Sequence, residues 1–499
     1  MQQKEKKILF IEPPFNRLFK NTYSLDRYPL SLGYLAAMVR KNTNWDVMAY
    51  NADFSPQREF MKVSYLTGTG FDNYLSNLKN QSTSIWKEVK TTISEYRPTV
   101  VGISAKSQNF TSACIVAKLV KEIDEKVIVI IGGPYPSMVG KETIEYSLAD
   151  FAVKGEGEFT ILELLHAIES KGNFSYINGL VYRKDGIIYE NPPREFIQDL
   201  ETLPFPYDSA KEILKDYDKY PKSAFGYIFA TRGCPYNCFF CGSRHIWSRK
   251  VRFRPPINVI KEIKILQKEG VRLFSFVDDN FGVNKQYLTD LCNALIRYCP
   301  RIRWSCEFHL KLVDEENISL MKKAGCFLIQ LGIESGNNEI LKQMRKNITI
   351  EDALIAAKAI KKYGIQLQAF FIVGFPQETE NTLADTIKAM KQIKCDILTY
   401  SIFTPYPGTE AFRFCKENGL IPKDYDIALY NHQSPANHFC MYIPKDSFRM
   451  LTTEIERMVD RKNCINRIKR IFSLTTLDMI KELGVAKSIQ KGMKVFRGR

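Results

Sequence analysis

The sequence predicts two α/β arrays in tandem: an N-terminal doubly wound parallel sheet, then a partial (β/α)6 barrel followed by a helical C-terminal region. Three observations predict this. Short apolar runs of β character alternate with helical periodicity over residues 1–170, the rhythm of a parallel sheet flanked by helices. The same rhythm returns at residues 226–415, after a connector at 171–225 that carries a hairpin. From residue 416 to 499 it fades, and from Pro444 the pattern is amphipathic helix alone, with about half of the net positive charge.

Composition sets the outer limits. At 499 residues the chain has room for two or three domains, each with its own core. Apolar residues make up 45% and charged residues 25%, ordinary for a soluble globular protein. No apolar run approaches the roughly 20 residues of a membrane span, and Met1 to Lys7 leads straight into a strand-like run. A cytoplasmic protein with no transmembrane segment is expected. Twelve cysteines, nine of them scattered without framework spacing, fit a reducing compartment. The net charge of +16 favours an anionic substrate or partner, though it gives no sign of stable nucleic-acid binding.

In the first array the strand-like runs are Ile8 to Ile11, Val47 to Tyr50, Val100 to Ser104, Val127 to Ile131 and Phe151 to Val153. Helical spacing covers Leu30 to Val39, Ser112 to Ile123 and Glu158 to Ile168. Sheets of this kind bind ligands beyond the carboxyl ends of their strands. The turns there are Glu12-Pro13-Pro14, Ser104-Ala105-Lys106, Gly132-Gly133-Pro134 and Gly155-Glu156-Gly157-Glu158, whose glycines let a backbone approach a large ligand. No G-x-G-x-x-G follows the first strand, which argues against a dinucleotide.

In the connector, Ile177 to Tyr182 and Gly186 to Tyr189 read as a hairpin, and Leu203-Pro204-Phe205-Pro206 leads to the second array. Its β runs are Tyr227 to Thr231, Leu273 to Val277, Ile302 to Cys306, Phe327 to Leu331, Leu367 to Val373 and Ile397 to Phe403. The first of them delivers Cys234, Cys238 and Cys241 at C-x-x-x-C-x-x-C spacing into one loop. Close-set soft thiolates suit zinc or an iron-sulfur cluster. Zinc wants four closed ligands, and no second cysteine pair follows at suitable spacing, leaving His245 as the one nearby fourth ligand. A four-iron cluster on three thiolates keeps one iron open. The remaining strand ends are polar: Asp278-Asp279-Asn280, Glu334-Ser335-Gly336, Gly374-Phe375-Pro376 and Pro405-Tyr406-Pro407-Gly408-Thr409.

The cysteine loop, with Phe240 before the third thiol, resembles that of the radical S-adenosylmethionine (SAM) superfamily, and Gly332-Ile333-Glu334-Ser335-Gly336 resembles its SAM-ribose segment. The resemblance implies a [4Fe-4S] cluster on Cys234, Cys238 and Cys241. It implies SAM contacts from Phe240, Gly242, Asp279, Glu334, Ser335 and Gly374, and an electron donor such as flavodoxin or ferredoxin. The four turns of the first array, with Pro29 to Leu35, resemble the cobalamin-binding domain that precedes the barrel in one large subfamily. That implies cobalamin near Pro14, Ser104, Gly132, Gly133, Gly155 and Glu156, without an axial imidazole, because D-x-H-x-x-G is absent and all five His lie outside these loops. At the third strand, Glu307 and His309 depart from the pattern, since many relatives carry Arg nearby; they are candidates for substrate contact.

The implied reaction is methyl transfer to an unactivated carbon of a small molecule or natural-product precursor. The alternative within the fold is radical ring closure or rearrangement, as in the porphyrin-ester cyclases. Methylthiotransferases carry further N-terminal cysteines, whereas this chain has none before Cys114. A zinc-binding nucleic-acid module would explain the thiols and the charge but not two βα arrays. Replacing Cys234, Cys238 or Cys241 by Ala is expected to remove most bound iron and all SAM cleavage, because two thiolates cannot hold an open-site cluster. Replacing Cys292, Cys299 or Cys326 leaves iron content at the wild-type level.

Overall fold

The structure is a computed structural model that describes residues 6–59 and 61–471. The first array forms a seven-stranded sheet: β1 (Lys7–Glu12), β2 (Asp46–Asn51), β3 (Val100–Ser104), β4 (Ile128–Gly132), β5 (Phe151–Val153), β6 (Leu180–Lys184) and β7 (Ile187–Glu190). Their order is β2-β1-β3-β4-β5-β6-β7. The first five strands are parallel, and their near-continuous burial is what helices on both faces demand. The order reverses between β1 and β3, which makes their carboxyl ends the switch point where a ligand crevice opens. The hairpin expected in the connector belongs to this sheet, since β6 pairs antiparallel with β5. The sheet therefore runs to Glu190 and is not wholly parallel.

The second array begins with β8 (Tyr227–Ile228), β9 (Thr231–Arg232) and β10 (Arg252–Phe253). It continues through β11 (Leu273–Phe281), β12 (Arg303–Phe308), β13 (Cys326–Glu334), β14 (Gln366–Val373) and β15 (Ile397–Ile402). Six of these form one sheet in the order β15-β14-β13-β12-β11-β8, all parallel. Burial along the strands alternates. Phe274, Phe276, Trp304, Ile329, Leu331 and Leu367 pack under the helices, while the opposite face, the lumen side of the partial barrel, remains half-buried.

Beside the first array's own clusters, one apolar cluster spans both arrays. Tyr28, Leu30, Tyr34 and Met38 of the first array lie in the same buried cluster as Val259, Phe276, Ile329 and Leu367 of the second. The C-terminal region contributes the helix Lys445–Ile471, which lies along β15; the further helical pattern beyond residue 471 lies outside the described residues. Asn463 on this helix stands in for a seventh strand. Its side chain accepts from Leu398 N at 2.8 Å and donates to Leu398 O at 2.8 Å, closing an edge that would otherwise present unpaired backbone groups. Replacing Asn463 by Ala leaves both groups of a buried strand residue without partners. The expected loss is about 1–3 kcal/mol, read as a lower urea midpoint.

Candidate functional site

The cysteine loop is held from below by a carboxylate. Asp278 on β11 accepts from Ala230 N at 3.2 Å, from Thr231 Oγ1 at 2.5 Å and from Thr231 N. Burial pushes its carboxyl up to about 7 against the pull of those donors. Its neighbour Asp279 points the other way, is exposed, and accepts from Ser243 Oγ at 3.0 Å beside the thiols. The loop leaves β9 through Gly233 at φ +117, where any Cβ would run into the carbonyl of Lys250. Only glycine serves there.

Cys234, Cys238 and Cys241 are free and half-buried, and near enough that Cys238 disfavours ionisation of Cys234 and both disfavour that of Cys241. Burial raises all three thiols, Cys241 to about 12. The thiolate form is therefore one that metal binding has to supply. Among the described residues no three His, Cys, Asp or Glu side chains converge on one point as ligands of a single ion do. A four-iron cluster sets a different requirement, because each thiolate ligates its own iron, and three soft donors on one loop meet it.

Beside the thiols Glu334, expected there, forms a buried pair with Lys346, which sequence reasoning missed. Lys346 Nζ stands 3.0 Å from Glu334 Oε1. Burial alone would lower the lysine, but Glu334 and the nearby Cys238 outweigh it and hold the ammonium charged. Glu334 sits at φ +72, so its backbone is strained to aim the carboxylate. His309 stacks on Tyr236 of the loop with ring centroids 3.7 Å apart. Burial, with Lys346 and Lys311 adding to it, lowers its pKa to about 3. The ring is neutral, and since Nδ1 accepts from Lys311 N at 3.2 Å, the proton belongs on Nε2.

Three of the residues expected at ligands have polar groups engaged within the protein. Ser335 is fully buried and bonded to Thr386 Oγ1 at 3.2 Å, so its hydroxyl faces the protein rather than SAM. Gly374, at φ +83, packs its α-carbon against Phe448 of the C-terminal helix. Its amide donates to Glu378 Oε2 at 2.6 Å, a carboxyl that burial raises to about 7. Glu156 is the third. Its carboxylate takes Arg232 Nη1 at 2.8 Å, Arg252 Nη1 at 2.6 Å and Ile197 N at 2.7 Å, so the side chain is committed to the protein. Glu158 takes the other arm of Arg232 at 2.7 Å. Phe240 and Gly242 stay in the loop as expected, half-buried.

Of the crevice residues, Pro14 and Ser104 are buried. Gly133 is at φ +109, and a Cβ on it would lie 2.9 Å from Ala105 O. Gly132 and Gly155 face open space: a Cβ on Gly132 would meet only Val153 at 3.9 Å, and one on Gly155 nothing within 4 Å. Ser137 ties the two turns together, donating to Gly133 O at 2.8 Å and accepting from Gly155 N at 2.9 Å. The crevice edge abuts the cysteine loop. Met138, in the helix Pro134–Val139 that follows Gly133, is wedged between Gly242 and Gly408, and a Cβ on either glycine would strike it.

Comparison with known proteins agrees with this geometry. Residues 228–390 match the model of the radical SAM superfamily, and residues 17–165 that of the B12 binding domain. An uncharacterized methyltransferase of Pyrococcus horikoshii is 32% identical over 420 residues, 83% of this chain and 84% of the relative. The anaerobic magnesium-protoporphyrin IX monomethyl ester cyclase of Rubrivivax gelatinosus is 28% identical, over 70% of this chain and 63% of its own. The radical S-adenosylmethionine methyltransferase TsrM of Kitasatospora setae, solved with tryptophan and a SAM analog, shares the fold at a TM-score of 0.64 and 17% identity, over 83% of this chain and 76% of its own. The chain belongs to the radical SAM superfamily, in the branch that carries a B12 binding domain.

The buried Glu156 is the most exacting element. Replacing it by Ala strips the shared carboxylate from two buried guanidinium groups, at an expected cost of about 3–5 kcal/mol. Chemical denaturation of the full chain measures it, and a loss under about 1 kcal/mol would mean that water replaces the carboxylate.

Proposed function

We propose that this radical SAM protein is a cobalamin-dependent methyltransferase acting on an unactivated carbon of a polar small molecule. The observation that carries the reading is the junction of the two ligand-binding edges. Met138 behind the crevice turn meets Gly242 beside the third thiol, and Glu156 beside the open Gly155 holds Arg232 beside Gly233. When bound, the cluster and SAM supply a hydrogen-abstracting radical and cobalamin supplies a carrier for the methyl group. A carbon radical has no lone pair with which to attack SAM directly, so this chemistry calls for both groups within reach of one substrate.

The chain's own residues define that place. Cys234, Cys238 and Cys241 hold the cluster, and Lys346, kept charged by Glu334, offers a cation beside the thiols. The lumen is polar. Glu307, Gln330 and Gln368 stand in register across β12, β13 and β14. Ser305 bonds to Ser275 at 3.1 Å, and Gln368 to Thr399 at 3.1 Å. Glu307 is exposed to the lumen with no hydrogen bond or ion pair to its carboxylate among the described residues. Although its surface is open to the lumen, desolvation by the surrounding strands, reinforced by Asp279, raises its carboxyl. Such a wall takes a substrate rich in hydroxyl or amine donors. The anionic substrate suggested by net charge finds no unpaired cation in this row. The electron comes from outside, from a carrier of the flavodoxin or ferredoxin class.

Reconstituted protein titrated with hydroxocobalamin is expected to give a base-off spectrum, since no imidazole lies in the crevice loops. Gly132→Trp, at a position with room for a side chain and no φ strain, is expected to abolish that binding at normal iron content, with Gly132→Ala binding as wild type. Extracts incubated with methyl-labelled SAM should then yield one metabolite carrying the label. Retention of cobalamin by the Trp variant would move the corrin away from β4, and label-free extracts with intact SAM cleavage would favour ring closure over methyl transfer.

A further inference from the structure

The segment 243–250 is the outer wall of the cysteine loop. Ser243 N lies 3.4 Å from Cys241 Sγ, and the Lys250 carbonyl fills the space that a Cβ on Gly233 would need. One side of the segment therefore touches the chain on both flanks of the three thiols. Its other side is a shallow surface hollow lined by Arg244, His245, Ser248, Arg249 and Lys250. Arg244 is spoken for, held by Glu410 at 3.2 Å and Asn237 at 3.0 Å. Arg249 and Lys250 are exposed, and among the described residues neither side chain has a hydrogen bond or a carboxylate within ion-pair distance. His245 is exposed beside them, its pKa lowered by burial and by Arg244 and Arg413. Unpaired charge of one sign, concave, and a single chain segment from the thiols, is what an electrostatically steered and short-lived encounter requires.

We propose that the basic hollow at Arg249 and Lys250 is the docking surface for an acidic one-electron carrier protein. The proposal rests on the cluster assigned above. Redox encounters of this kind need only a small interface, so a hollow formed by five residues and their surroundings is of the right order. Each encounter moves one electron and no atom. The carrier's flavin passes from the anionic hydroquinone to the neutral semiquinone, the oxidised cluster takes the electron, and no proton changes hands. Because both side chains are exposed and unpartnered, their replacement leaves fold and thiols undisturbed.

The test uses the full chain, reconstituted anaerobically, and photoreduced flavodoxin as the probe, with bleaching of the cluster's visible absorption followed by stopped flow. Arg249→Glu with Lys250→Glu is expected to slow reduction by flavodoxin at least about tenfold at low salt. Salt should slow the wild type and close the gap between the two proteins. Dithionite, which needs no docking surface, should bleach the clusters of both proteins to the same final extent. Equal flavodoxin rates at low salt would overturn the proposal. So would loss of tRNA retention in the double variant at an unchanged flavodoxin rate, which would make the hollow a nucleic-acid site. Wild-type protein that neither reductant bleaches would instead remove the cluster on which the proposal stands.

Discussion

The carboxylate of Glu156, buried between Arg232 and Arg252, is the contact on which the rest of the architecture depends. Two guanidinium groups and a backbone amide converge on two oxygens, and Glu158 takes the remaining arm of Arg232. Isolated, each of these charges would be costly to bury. Together they are mutually required, and the requirement crosses from the first array to the second. Arg232 immediately precedes the glycine that turns the chain into the thiol loop, and Glu156 immediately follows the glycine that opens on the crevice. Trp247 packs against both guanidinium groups, with its ring centre 5.8 Å from each. The loop, its following helix and the crevice are thereby locked to one point.

Glycines make the second junction. Met138 fits here because Gly242 and Gly408 carry no side chain: its thioether lies against Gly242 of the cysteine loop and its backbone against Gly408 of the turn after β15. Close packing of this kind transmits position without a hinge, and the shared apolar core beneath it leaves little freedom for one array to slide on the other. Polar and apolar constraints thus hold the same two edges together from different sides.

Much of this was legible in the chain. The thiol loop could be read because its chemistry needs three soft donors in a short span, and the strands because apolar alternation is a local signal. The hairpin at β6 and β7 was legible as a hairpin, but not its sheet, since pairing with β5 is a tertiary choice. The ion pairs of Glu156 were not legible for a physical reason. Its turn stood out only through the resemblance of the four turns, and nothing local announces that Arg232, 76 residues away, will claim the carboxylate. Lys346 was hidden among 71 basic residues, and only burial beside Glu334 distinguishes it. Ser335 was assigned by its motif, but Thr386 on a distant helix satisfies its hydroxyl.

The side-chain amide of Asn463 that completes β15 has a counterpart at the other sheet, where Leu214 of the connector bridges to Ala49 on β2 and Lys215 N bonds to Ala49 O at 2.9 Å. In both cases the raw edge of one unit is finished by a segment that comes later in the chain. The protein is consequently not a string of beads that recombination could exchange at the apparent seams. A cut near residue 170 or 415 would separate a sheet from its own selvage, so inheritance of the two cofactor-binding units has to be joint, connector and terminal helix included.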